Sequence, residues 1–326
     1  MRIVDCFPYF NEKELLELRI NLLYDKVDQF IICDANKTHK GTSKPFTCKQ
    51  TLENLGLLTD KVQVLELNLP SYEEEPNPWI RERLQRNAAA NFIQDNDMCI
   101  ISDCDEIINP DVIDHYINIA KQYSNNIVRI PIAFLNGRAD LRVYTQDGNP
   151  VPWTAPYVCL SHHLKKYTLS EIRESHARNF FNIDYIDIFT TTHHGIVDCK
   201  NGMVEDVEWI CPESDSGWHF GWMGGINKIK EKSESFLHWN DVSVQDNYIA
   251  KEESVDPLGR SNYILKKYNI DLLPSKLFQL ENVKNFLLPI ELPNKIKSVD
   301  KPRIKITGNF SDDQRKTSKY SHLFRE

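Results

Sequence analysis

Three carboxylates follow an apolar run in Ile100-Ile101-Ser102-Asp103-Cys104-Asp105-Glu106. An apolar strand that ends this way must deliver them to solvent or to a cation, because burying them unpaired is costly. Hard oxygen ligands of this kind suit Mn2+ or Mg2+, which commonly bind through one or two carboxylates plus the phosphates of a substrate. Along an extended chain, alternation sends Asp103 and Asp105 to the same side. One can then ligate the ion while the other works through water or a ribose. Short acidic triplets are also common surface loops, so it is the position at a strand's carboxyl end that gives this one its meaning.

A phosphate held there needs cationic or backbone N–H partners. Arg81, Arg83 and Arg86 precede the motif, and Lys228 and Lys230 follow far downstream. Most such side chains are simply solvated. His219 sits between Trp218 and Trp222 in a glycine-flanked segment. It reads either as a core histidine donating to a backbone carbonyl or as an imidazole ligand, which Mn2+ accepts. His162-His163 and His193-His194 lack a metal-ligand spacing and read as non-ligands.

Positioning these groups requires a sheet. Ile3–Phe7, Phe30–Cys33, Val62–Leu67, Met98–Ser102 and Ile127–Phe134 read as buried strands. Between them, Glu14–Tyr24, Arg81–Ile93 and Asp111–Tyr123 carry apolar residues at helical spacing. Strands alternating with helices predict a mostly parallel, Rossmann-like sheet flanked by helices. Ligands of such sheets bind beyond the carboxyl ends of the strands, which singles out Pro8–Asn11, Asp34–Gly41 and Asp103–Glu106. From Asn136 to Ser216 the pattern loosens into short strands and turns. Helices are then expected over Gly225–His238, Val244–Glu253 and Asn262–Tyr268. The expected organisation is a catalytic domain over 1–240, with a nucleotide-binding half to about 135 and an acceptor half from about 136. A helical extension over 241–294 and a basic tail over 295–326 complete it.

The net charge of −8 argues against nucleic acid as a partner, since phosphate backbones need a concentrated basic surface. That charge is uneven: residues 295–326 carry +5, leaving −13 for the rest. A tail of this composition is either solvated or drawn to anionic membrane lipids. Eight cysteines without a C-x-x-C pair read as buried thiols of a reducing compartment. With no apolar run long enough to cross a bilayer, the expected location is cytoplasmic, with peripheral membrane contact through the tail.

Several blocks fall in a recognisable order: Asp5-Cys6-Phe7-Pro8-Tyr9-Phe10-Asn11-Glu12, Thr38-His39-x-Gly41 with Lys44-Pro45, Glu82-x-x-Gln85-Arg86-Asn87, the Asp103–Asp105 motif, and Gly217-Trp218-His219-Phe220-x-Trp222-Met223-Gly224-Gly225. Together they resemble glycosyltransferase family 17 over about residues 1–240. The resemblance implies a GT-A fold in which Asp103-Cys104-Asp105 is the DXD signature. It also implies a UDP-sugar donor, N-acetylglucosamine as the transferred sugar, and a carbohydrate hydroxyl of a glycan or surface polysaccharide as acceptor. No counterpart to the membrane anchor of the animal members is expected, and the soluble bacterial and viral-type members are the closer picture.

Carried onto this chain, the resemblance implies that Phe7, Pro8, Tyr9 and Asp34 hold the uridine, with His39 and Arg86 in matching blocks. Asp103, Asp105 and His219 become the metal set. An inverting transferase also needs a general base to deprotonate the acceptor. Glu205, Asp206, Glu213 and Asp215 are candidates, Asp215 being favoured because it lies four residues from His219. Trp153, Tyr157, Trp209, Trp218 and Trp222 would serve either as a sugar-stacking surface or as core. A nucleotidyltransferase that makes nucleotide sugars is an alternative, although Cys6–Glu12 contains no glycine where such enzymes carry a Gly-rich loop. A non-catalytic carbohydrate-binding protein is another, against which the paired aspartates argue.

Overall fold

The computed structural model describes residues 1–125, 127–174, 185–188, 196–198, 202–203, 216–235, 249–254 and 263–288. Four apolar runs of strand length become adjacent parallel strands: β1 (Ile3–Tyr9), β2 (Gln29–Ala35), β3 (Val62–Leu67) and β4 (Met98–Ile101). They lie side by side as β4-β1-β2-β3, with Cys6 of β1 between Ile31 of β2 and Ile101 of β4. That register brings the carboxyl ends of β1 and β4 together. Helix α1 (Lys13–Leu23) buries Leu15, Leu16, Leu18, Ile20 and Leu23, a stripe that explains its helical form. Helix α2 (Cys48–Asn54) follows β2, and α3 (Pro78–Asn87) precedes β4. Asn77 caps α3 through its side chain, and Pro78 occupies the first turn, where a missing N–H costs nothing.

Beyond β4 the chain leaves the parallel pattern. The segment Ile127–Phe134, read as one strand, is two. Pro131 has no N–H to give a ladder, and the chain divides there into β6 (Ile127–Arg129) and β7 (Ile132–Asn136) in different sheets, after the short strand β5 (Glu106–Ile108) and helix α4 (Ile113–Gln122). Strands β8 (Arg138–Thr145), β9 (Pro152–Trp153) and β10 (Tyr157–Leu160) come next. Strand β10 inserts antiparallel between β4 and β6. With helix α5 (Leu169–Glu174) and strands β11 (Tyr185–Ile188), β12 (Ile196–Asp198) and β13 (Gly202–Met203), the first sheet reaches nine strands in the order β13-β12-β11-β6-β10-β4-β1-β2-β3. The expected parallel sheet is therefore its N-terminal part, flanked by helices, within a mixed α/β fold.

A second sheet takes the order β15-β8-β7-β14-β5, with β9 paired to β7. Its members β14 (Gly217–Gly221) and β15 (Tyr263–Lys267) flank helix α6 (Gly225–Ser235) in sequence. A helix was expected over Asn262–Tyr268. The segment instead forms β15, an antiparallel partner of β8 that buries Leu265. Seven residues with apolar Tyr263, Ile264, Leu265 and Tyr268 fit no single period cleanly, and pairing with β8 decides. Residues 249–253, the last five expected in the Val244–Glu253 helix, are not helical. Two short helices, α7 (Ser275–Gln279) and α8 (Glu281–Leu287), add Leu277, Val283 and Leu287 to the α1 core. Residues 295–326 and their expected membrane contact lie outside the described residues. No helix among the described residues is long and apolar enough to cross a membrane. The six cysteines among the described residues are buried and unpaired.

One charged pair lies wholly inside this core. Arg19 of α1 binds the Asp5 carboxylate of β1 through Nε and Nη2 at 2.8 and 2.5 Å. Its Nη1 donates to the Asp103 and Glu106 carbonyls at 2.7 and 2.8 Å, and Nη2 also donates to Ser102 Oγ at 2.7 Å. All five donors of the guanidinium are spent, and they fix the chain that carries the acidic motif.

Candidate functional site

The acidic motif is a turn. After β4 stops at Ile101, the Glu106 amide donates to the Asp103 carbonyl at 3.0 Å, and the Asp103 amide donates to the Glu106 carboxylate at 2.8 Å. The extended alternation expected for Asp103 and Asp105 does not occur, because Glu106 folds back to hold the turn closed. Both aspartates still line one cavity of ≈ 360 Å³, but with different partners. Asp103 is clamped by Arg86 at 2.6 Å and by Arg173 of α5 at 2.9 Å. Asp105 faces His219 Nε2 at 3.7 Å and Lys232 Nζ at 2.7 Å.

Strand pairing puts His219 here. β14 runs antiparallel to β5, placing His219 opposite Glu106, and the Phe220 amide donates to the Asp105 carbonyl at 2.8 Å. The imidazole packs against the rings of Trp153 and Phe134, centroids 4.2 and 5.0 Å away, in a three-ring cluster. Its Nδ1 is buried and has no hydrogen-bond partner among the described residues. The carbonyl-bonded core histidine expected as the plain alternative is thus not what the structure shows.

The remaining expected residues divide. Pro8, Tyr9, His39 and Arg86 line the cavity. Gln85 organises that wall: it donates to the Tyr9 and Cys33 carbonyls at 3.0 and 2.7 Å and meets His39 Nε2 at 3.0 Å. Gly41 keeps φ at +99°, where an added Cβ would meet the Tyr72 amide at 2.6 Å, so the Thr38-His39-x-Gly41 block demands glycine there. Phe7 and Asp34, expected at the uridine, are not among the lining residues. Phe7 packs under Arg19, its ring 4.3 Å from the guanidinium carbon. Both Asp34 oxygens are taken, by Lys44 and by the Thr47 and Cys48 amides at the start of α2. Arg81 spends itself on the His39, Ser71 and Glu75 carbonyls, and Arg83 on Glu174. Glu205, Asp206, Glu213 and Asp215 lie outside the described residues. Their described neighbour Ser216 packs beneath α4 through Tyr116, three extended residues or about 10 Å along β14 from His219.

Two lining residues, Arg173 and Lys232, carried no sequence signal, and Glu106 of the acidic motif lies behind the cavity wall. Glu106 is fully buried and accepts from Arg173 and from Trp153 Nε1, both at 2.5 Å. Arg173 joins Glu106 to Asp103, and Lys232 reaches Asp105 from α6. Burial alone would raise Asp103, but the Arg173 and Arg86 charges outweigh it and hold the carboxyl well below its ordinary range. Asp105 is likewise pushed up by burial yet held low overall by Lys232 and then His219. Burial dominates at Glu106, which is raised despite Arg173.

These shifts predict an acid limb. A carboxylate whose folded pKa is depressed contributes stability that is complete above its unfolded value, about 4, and fades as pH falls toward the folded value. Thermal melts between pH 6 and 3 are expected to show wild-type stability falling below about pH 4. Asp103→Asn should flatten that limb; the same slope in both proteins would remove Asp103 from the linkage.

The donor set fits a divalent cation. Ligand atoms of Asp105, Glu106 and His219 all lie within 4.8 Å of one another. Both Glu106 oxygens are already engaged, which leaves the Asp105 carboxylate and the His219 imidazole as the ligands best able to turn to an ion. Asp103, expected in the set, lies outside it because two arginines hold it.

The sequence model of glycosyltransferase family 17 matches residues 1–127, the segment that carries β1 to β4, the acidic turn and the Arg86 helix. The resemblance read from the sequence holds over that segment, and it supports a glycosyltransferase. Among solved structures, S. aureus TarS 1-349 is 15% identical with a TM-score of 0.33, covering 51% of this chain and 49% of TarS. The chain thus spans about half the length of that protein. Mannose-6-phosphate isomerase from Helicobacter pylori is 12% identical (TM-score 0.31, 54% of this chain and 79% of that one). The 4-diphosphocytidyl-2C-methyl-D-erythritol synthase from Anaerococcus prevotii is 9% identical (TM-score 0.32, 55% and 79%). All three TM-scores are low, and the fold class stands on the sheet order and helix placement. No curated protein sequence matches the chain.

Proposed function

We propose that this chain, with residues 1–127 matching glycosyltransferase family 17, is a metal-dependent inverting glycosyltransferase. The proposed donor is a UDP-sugar carrying N-acetylglucosamine, and the acceptor is a carbohydrate hydroxyl. The observation that carries this reading is the convergence of Asp105 and His219, 3.7 Å apart, on a cavity flanked by Arg86, Arg173 and Lys232. Tyr9, Phe10, Thr38, His39 and Trp79 offer an aromatic and hydrogen-bonding wall for a nucleoside. Asp105 and His219 would hold Mn2+ or Mg2+, whose chemistry is to neutralise the charge a departing diphosphate gains. Arg86 and Arg173 stand beside it, their charges matched by Glu82, Asp103 and Glu106.

The reaction then needs little else from the chain. The acceptor oxygen bonds to the anomeric carbon, the bond from that carbon to the diphosphate oxygen breaks, and the acceptor proton passes to a carboxylate. We place that base among Asp215, Glu213, Asp206 and Glu205. Asn or Gln at the true base should preserve donor binding and cut turnover by at least about 10²-fold. Full activity in all four variants would move the base elsewhere, and retention of the donor's α configuration in the product would end the inverting scheme.

The donor is tested by melting the protein with UDP-, GDP- and CMP-sugars, each with and without Mn2+. A ligand at about 100 times its Kd stabilises by about 2.7 kcal/mol, a rise of several degrees. The rise is expected for UDP-N-acetylglucosamine with Mn2+ only. A GDP- or CMP-sugar giving it instead would overturn the assignment.

A further inference from the structure

Lys232 stands at the end of α6, 127 residues from the acidic turn, with Nζ 2.7 Å from Asp105 Oδ2. That is the same oxygen that faces His219 Nε2 at 3.7 Å. The next acid, Glu12 Oε1, is 3.9 Å from the ammonium, so Asp105 is its main partner. A carboxylate oxygen cannot hold an ammonium at this distance and a divalent cation as well without forcing two positive charges together. The lysine has room to leave: its side chain is 30% exposed at the cavity edge. The Trp222 ring, another lining residue, is 5.9 Å from Nζ and offers a face on which a displaced ammonium keeps favourable contact.

We propose that Lys232 and a divalent cation are alternative partners of Asp105. Metal entry displaces the ammonium from the carboxylate into the cavity, where a nucleoside diphosphate receives it. This rests on the metal-dependent reading above and adds a consequence. Metal alone meets a competing internal cation and binds weakly. A diphosphate that takes up the displaced lysine strengthens the metal, and the metal strengthens the diphosphate by the same factor.

The test measures Mn2+ affinity of the full chain by electron paramagnetic resonance of the free ion, without nucleotide and with UDP. Lys232→Gln is expected to bind Mn2+ alone about tenfold more tightly than wild type, having lost both the competitor and its charge. Lys232→Arg keeps a competing cation and should stay near wild type. Lys228→Gln removes the same charge one turn earlier, from a lysine paired with Glu231, and should change affinity by less than about twofold. UDP should tighten Mn2+ more in wild type than in Lys232→Gln. Unchanged or weaker Mn2+ binding by Lys232→Gln, or equal tightening by Lys228→Gln, would overturn the exchange while leaving a metal enzyme intact. If no protein bound Mn2+ even with UDP, the exchange and the metal-dependent reading would fall together.

Discussion

Asp105→Asn is expected to abolish Mn2+-dependent nucleotide binding while leaving the protein folded. Losing a residue that only orients a metal ligand typically weakens a site by 10- to 100-fold, so a direct ligand should cost at least about 10²-fold in metal affinity. The fold should tolerate the change. The Asp105 carbonyl, which receives the Phe220 amide, is untouched, and Lys232 is exposed enough to remain hydrated. Glu106→Gln separates the two carboxylates. Glu106 is occupied by Arg173, Trp153 and the Asp103 amide, so its replacement should lower stability and change metal affinity much less. Calorimetric titration with Mn2+ and UDP, beside thermal melts, reads both effects. Wild-type metal affinity in Asp105→Asn, or a greater affinity loss in Glu106→Gln, would reassign the ligand.

Arg19→Met should carry the largest stability loss of any single change considered. Arg19 and Asp5 are both fully buried, and removing one partner of such a pair leaves an uncompensated charge at a cost of about 3–5 kcal/mol. In a chain of this size that corresponds to a fall of about 10 °C in Tm. Because Arg19 also holds the Asp103 and Glu106 carbonyls, residual folded protein should bind Mn2+ less well. Adding Asp5→Leu should recover part of the loss, since a hydrophobic pair often equals a buried ion pair, but not the lost carbonyl contacts. A single variant within about 1 kcal/mol of wild type, near the median for an exposed pair, would show that the pair is dispensable.

The strands that matter most for position were legible in the sequence. Ile3–Phe7, Phe30–Cys33, Val62–Leu67 and Met98–Ser102 are short, apolar and bounded, and such runs have few other places to go than the middle of a covered sheet. The acidic motif was legible for the same reason, as polar residues at the end of a buried strand must sit at its mouth. Gly41 and the Gln85-Arg86 pair stood out as parts of a block, although only the structure shows what each touches.

Other features depend on which residues far apart in the chain meet. Ile127–Phe134 reads as one strand, and no local pattern says that its halves join different sheets. Lys232 and Arg173 are ordinary charged residues in sequence, and Glu106 stands out there only as a member of the acidic motif. Their roles arise because α6, α5 and β5 converge on one turn, across separations of up to 127 residues. Asp34 shows the converse: its place at the carboxyl end of β2 suited a nucleotide contact, yet nearby amides and Lys44 claimed both oxygens. Local sequence determined the central strands and put carboxylates at their ends, because hydrophobic burial and chain period act over a few residues. Tertiary structure decided which carboxylate faces an imidazole and which faces arginines, because a charge takes the partners that packing brings within a few ångströms.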